Sequence, residues 1–111
     1  MSLIDKIRKA REVTVEAGGH TFTIRRPTDE EALRMGSEGS DMFAIVRAHT
    51  VGWNLKELDL IPGGGPEPVA FSNELFGEWL GDQPEVWQPL GEAILEAYKA
   101  HSDKRSTAEK N

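Results

Sequence analysis

Glu12-Val13-Thr14-Val15-Glu16-Ala17-Gly18-Gly19-His20-Thr21-Phe22-Thr23-Ile24-Arg25-Arg26 is the stretch that decides the fold. Val13 and Val15 alternate with Glu12, Thr14 and Glu16. Beyond Ala17-Gly18-Gly19, Phe22 and Ile24 alternate with Thr21, Thr23 and Arg25. Period two on both sides of a Gly-Gly pair predicts a β-hairpin over residues 12–26, with one apolar face. Two strands are not stable alone in water, so helices must cover that face.

Working outward, helix signals flank the hairpin. Upstream, Ser2 with Asp5 three residues later forms a capping box for a short helix ending by residue 11. Leu3, Ile4 and Ile7 give that helix an apolar edge. At this length it is marginal alone, so it must dock on the body or on a neighbouring subunit. Downstream, Thr28 and Glu31 form a second capping box behind Pro27, and Asp29, Glu30 and Glu31 suit the positive end of a helix dipole. Gly36 and Gly39 predict that this helix is short. Ser40-Asp41 starts the next, in which Met42, Ile45, Val46, His49 and Trp53 share one helical face.

Residues 55–70 read as a loop, because Pro62, Pro66 and Pro68 surround three consecutive glycines, Gly63 to Gly65. Ser72 caps the following helix, and Phe71 and Phe76 have the spacing of a hydrophobic staple. Leu75, Phe76, Trp79 and Leu80 form its buried stripe. A last helical segment starts near Pro84, with a kink or restart expected at Pro89. It carries Trp87, Leu90, Ile94, Ala97, Tyr98 and His101 along one face. Residues 105–111 have no large apolar side chain and are expected to be disordered. The expectation is therefore an α+β, mainly helical single domain over residues 1–104. It comprises a helix at 1–11, a hairpin at 12–26 packed on helices, and helices over 28–103.

Composition narrows the function classes. The chain has 111 residues, a net charge of -6 and no cysteine. One domain fits that length. Disulfides and thiolate metal sites are excluded. An acidic balance argues against a nucleic-acid backbone as partner. No apolar run reaches the roughly 20 residues that span a bilayer. The charged N-terminus lacks a signal-peptide core, so a cytoplasmic location is expected. A hydrophobic content of 38% is low, which points to an exposed binding face or a disordered end.

No catalytic constellation converges. His20, His49 and His101 fall on separate elements, and Asp41 is two helical turns from His49, too far to share a metal. The acids at 29–31 are explained by a helix start. Ser72 lacks the surroundings of a nucleophile elbow, and Gly63-Gly64-Gly65-Pro66 lacks the Gly-Lys-Ser/Thr ending of a phosphate loop. The expectation is a non-enzyme without metal or cofactor. Trp53, Trp79 and Trp87 are numerous for so small a domain, and an interfacial Trp is a strong anchor. The candidate partner-binding residues are Leu3, Ile4, Ile7, Trp53 and Trp87.

One resemblance adds a function. The order Phe22-Thr23-Ile24-Arg25-Arg26-Pro27-Thr28 before an acidic helix start, then Val51-Gly52-Trp53, a Gly/Pro loop, Val69-Ala70-Phe71-Ser72 and residues 80–86, resembles the small tail assembly chaperones of long-tailed bacteriophages. The resemblance spans about residues 20–100. It rests on motif order and size rather than on a chemically diagnostic signature. It implies a protein of the bacterial host cytoplasm that binds the tape-measure and tail-tube proteins during assembly, self-associates, and is absent from the mature virion. It also implies a longer frameshifted form. Glu109-Lys110-Asn111 can be encoded GAA-AAA-AAC, which contains a slippery run. The alternatives are a minor tail or head-to-tail component retained in the particle, or a small acidic regulatory adaptor.

Overall fold

The structure, a computed structural model, describes residues 1–39 and 41–110, apart from the side chains of residues 38 and 108–110. The chain order is α1 (Leu3–Lys9), β1 (Glu12–Ala17), β2 (His20–Arg25), α2 (Asp29–Glu38), α3 (Met42–His49), β3 (Thr50–Trp53), α4 (Glu57–Leu60), α5 (Asn73–Leu80) and α6 (Pro84–Lys110). It is an α+β fold. An antiparallel sheet in the order β1-β2-β3 lies against helices.

The hairpin forms in the expected register, from Glu12 opposite Arg25 to Ala17 opposite His20. Gly18 and Gly19 turn the chain with φ of +57° and +82°, a region that residues with a Cβ avoid. Gly18 is required twice over, because a Cβ there would lie 2.7 Å from Val86 Cγ2 at the start of α6.

Beneath the sheet, Phe22 and Ile24 meet Val46, Leu55, Phe76, Leu80, Leu90 and Ile94, all fully buried. Phe22, Trp53, Phe76 and Trp79 add a network of ring contacts with centroids near 6 Å. The helix starts follow local chemistry. Ser2 with Asp5 and Thr28 with Glu31 form reciprocal capping boxes. Asp41 accepts from Ala44 N, and Ser72 accepts from Leu75 N. Phe71 and Phe76 pack at 5.5 Å, as a staple does. Ser40, expected to start α3 with Asp41, lies outside the described residues.

Five expectations are corrected. The first concerns Trp53, which is not on the α3 face. The helix ends at His49, and Thr50 to Trp53 turn extended to pair with β2. Between Thr23 and Ile24 the register shifts, leaving Val51 as an extra residue in β3. In the second, α2 runs through Gly36 to Glu38 and caps at Gly39 (φ +76°). Third, residues 55–70 are not all loop. Glu57–Leu60 is one helical turn, and Lys56 bridges Pro68. Fourth, α6 continues through Pro89 without a restart. Pro89 sits in the second turn, where a missing N–H removes a single helical bond.

The fifth correction is to the tail. Residues 105–110 continue α6 instead of being disordered. Asp29 supplies the reason. It accepts from Tyr98 Oη at 2.9 Å, faces His101 Nε2 at 3.6 Å and pairs with Arg105. Asn111 lies outside the described residues.

Candidate functional site

The helix α1 stands clear of the body. None of its residues is buried, and Leu3, Ile4 and Ile7 are 72%, 61% and 48% exposed. Its anchor is at its C-terminal end, where Arg26 N donates to Arg11 O at 2.9 Å. Its apolar stripe has no covering surface within the described chain.

Next to α1 lies a groove of about 770 Å³ between β1 and the second half of α6. Its floor is apolar, made of Val13, Val15, Ala93, Ala97 and Ala100. Its rim carries Arg11, Arg26 and Lys104, with Glu96 as an opposing acid. The sheet ends at β1, and residues 93–104 of α6 form the facing wall of the groove. Val13 is left 44% exposed as a result.

The free edge of β1 can be assigned from the register. The Arg26-to-Arg11 bond makes that pair a hydrogen-bonded one, so the pairs at 13/24, 15/22 and 17/20 are also bonded. Glu12, Thr14 and Glu16 therefore turn their backbone N–H and C=O groups away from β2.

The two Trp candidates do not join this surface. Trp53 is half-buried on β3, with Nε1 donating to Val69 O at 2.7 Å and its ring edge-on to Phe71 at 5.2 Å. Those contacts clamp the 55–70 segment to the core. Trp87, on the first turns of α6, is half-buried against the same core. The residues that follow α1, Ala10 and Arg11, reach the groove, and none of Leu3, Ile4, Ile7, Trp53 and Trp87 lines it. The groove residues were missed by sequence reasoning. Val13 and Val15 carry a strand signal that reads as covered core, and nothing local shows that the cover ends.

A second, polar cleft lies at the base of α1, where Arg8, Arg11, Arg25 and Arg34 gather around Glu31 and His49. Burial holds the His49 imidazole below the usual histidine range, although Glu31 and a hydrogen bond with the Arg25 main chain pull it the other way. Burial pushes the Glu31 carboxyl up, but the hydrogen bonds with Thr28 and the charges of His49 and Arg34 together outweigh it and the net shift is downward. Glu31 is thereby occupied as a cap and Glu30 as the partner of Arg34 at 2.9 Å. Among the described residues, no three His, Asp or Glu side chains are placed to hold a metal ion. No helix among them is long and apolar enough to cross a membrane.

The charges are segregated along the chain. Residues 57–98 contain nine of the 19 acids and no Lys or Arg, so all 13 cationic residues fall outside that segment. This segment begins at α4, which follows β3 in the chain, and includes α5 and the first half of α6. Lys6, Arg8 and Lys9 lie on α1 and Arg11, Arg26 and Lys104 line the groove, whereas β1 itself carries Glu12 and Glu16. No protein-family model, characterised protein or solved structure matches this chain.

Proposed function

We propose that this chain is a non-enzymatic assembly chaperone of the phage tail type, which binds the tape-measure and tail-tube proteins and associates with itself. The observations that carry the reading are the exposed apolar face of Leu3, Ile4 and Ile7 and, separately, an unfilled apolar groove at β1, on a body whose own core is closed. Exposed apolar surface on a well-packed acidic domain is the physical signature of a protein that holds another. The motif order from Phe22 to Val86 supplies the kind of client.

Coexpression of the full chain with the tube and tape-measure proteins of the same genome tests this. Co-purification with either client, lost in a Leu3→Ser/Ile4→Ser/Ile7→Ser variant, is the expected result. The protein should also be missing from purified particles by mass spectrometry. Presence in stoichiometric amounts would instead make it a structural tail component.

A further inference from the structure

We propose that copies of this chain associate head to tail, the cation-rimmed groove at the β1 edge of one copy receiving the acidic Leu58 and Ile61 corner of the next. The inference rests on the self-association in the proposed function and specifies its surfaces.

The receiving face is the groove with Val13, Val15, Ala93 and Ala97 on its floor and Arg11, Arg26 and Lys104 around it. In a chain of net charge -6, a rim of three cations against one acid is a local reversal of sign. A partner with apolar side chains inside an acidic border matches both properties.

The chain itself carries such a partner. Leu58 and Ile61 are 50% and 53% exposed, and the same short segment carries Glu57, Asp59 and Glu67 against one cation, Lys56. This corner is held rigidly. Leu58 N donates to Gly65 O at 2.9 Å, Glu57 N to Glu67 O at 3.0 Å, and Gly65 N to Glu57 Oε1 at 3.1 Å. A Cβ at Gly64 would lie 2.5 Å from Glu57 O, so the turn closes tightly on α4. A preformed corner loses little conformational entropy on docking.

The two faces are made of different residues. The groove is lined from β1 and α6, and no residue of 57–67 contributes to it. Two different complementary patches form a heterologous contact, which adds copies in a row instead of closing a symmetric pair. The apolar α1 of a second copy is a poorer occupant of the groove. Its polar residues are Lys6, Arg8 and Lys9 against Asp5, so it would bring cations to a cationic rim. Its stripe remains available to a client.

The test uses the full-length chain and its mass distribution by sedimentation at several concentrations. Wild type should gain mass with concentration, and roughly 0.5 M salt should suppress the gain, because the screening length then falls to about 4 Å. An Arg11→Glu/Lys104→Glu variant has two acidic faces, and a Leu58→Lys/Glu67→Lys variant loses both the acidic excess and an apolar side chain of its corner. Each should remain monomeric at concentrations roughly tenfold above the wild-type midpoint. Mixed in equal amounts, they should form a species of two copies, one of each, since the intact corner of one fits the intact groove of the other, and growth should stop there. That pairing also shows that both variants are folded.

A monomeric wild type, salt-insensitive association, or a mixture that stays monomeric would overturn the inference. So would association that survives both variants and disappears on removal of residues 1–9. Client binding is measured separately by coexpression, so failure here leaves the chaperone reading to stand or fall on its own result.

Discussion

Tyr98 donates its hydroxyl to Asp29 Oδ1 at 2.9 Å, tying the last helix to the first residue of α2 across 69 positions of sequence. His101 and Arg105 face the same carboxylate one and two turns further along α6. The Tyr98 hydrogen bond, then the charges of Arg105 and His101, hold the Asp29 carboxyl below its ordinary value. Asp29→Ala should let the end of α6 fray while the core persists. Amide exchange of residues 101–106 should quicken several-fold, with little change in the global unfolding midpoint. For wild type, the lowered carboxyl means that this contribution is present above the ordinary aspartate range and is lost as pH falls through the folded value. Fraying should therefore appear only below about pH 4.

The His49 imidazole has the opposite chemistry and a similar direction in pH. Its folded value is depressed by burial, so the neutral form is favoured in the fold. Stability should be complete above the unfolded histidine value of about 6.5 and decline as pH falls through the folded one. Urea midpoints at pH 7.5 and 5.5 should differ for wild type, and differ less for His49→Gln. Equal dependence in both would assign the effect to another group.

Gly18→Ala should cost about 2–3 kcal/mol, combining a left-handed backbone with the approach to Val86. Gly19→Ala meets no atom within 4 Å and should cost only about 1–2 kcal/mol from backbone strain. Val86→Ala in the Gly18→Ala background should recover part of the difference. Additive losses in denaturant unfolding would show that the turn and α6 are not in contact.

Trp79→Ala should lower stability by about 3 kcal/mol, as truncation of an aromatic in a ring cluster does. Its ring lies 6.2 Å from both Phe22 and Trp53 and 6.1 Å from His20. By contrast, removal of residues 1–9 should leave the denaturation midpoint nearly unchanged, because α1 buries nothing. A large loss would mean that α1 supports the body.

What the sequence disclosed was local. The alternation around Gly18-Gly19 and the caps at Ser2, Thr28, Asp41 and Ser72 each depend on a few adjacent residues, and each is found in place. What it hid was set at a distance. Thr50 to Trp53 continue the apolar spacing of α3, and only pairing with β2 makes them a strand. The order of residues 105–110 depends on Asp29, far upstream. The charge split is present in the letters, but its meaning requires knowing that Arg11, Arg26 and Lys104 meet around one groove. The apolar stripe of α1 was legible, whereas the groove depends on how α6 faces β1.

The outward-turned backbone of β1 bears on how concentrated this protein can become. An open strand edge is a template for runaway fibril growth, and a chain with uncovered apolar side chains is at greatest hazard. Glu12 and Glu16 sit at two of the three positions whose amides face outward, so two such edges brought together would oppose like charges. The edge therefore discourages the one contact that would be irreversible. It leaves the chain free to accumulate in quantity.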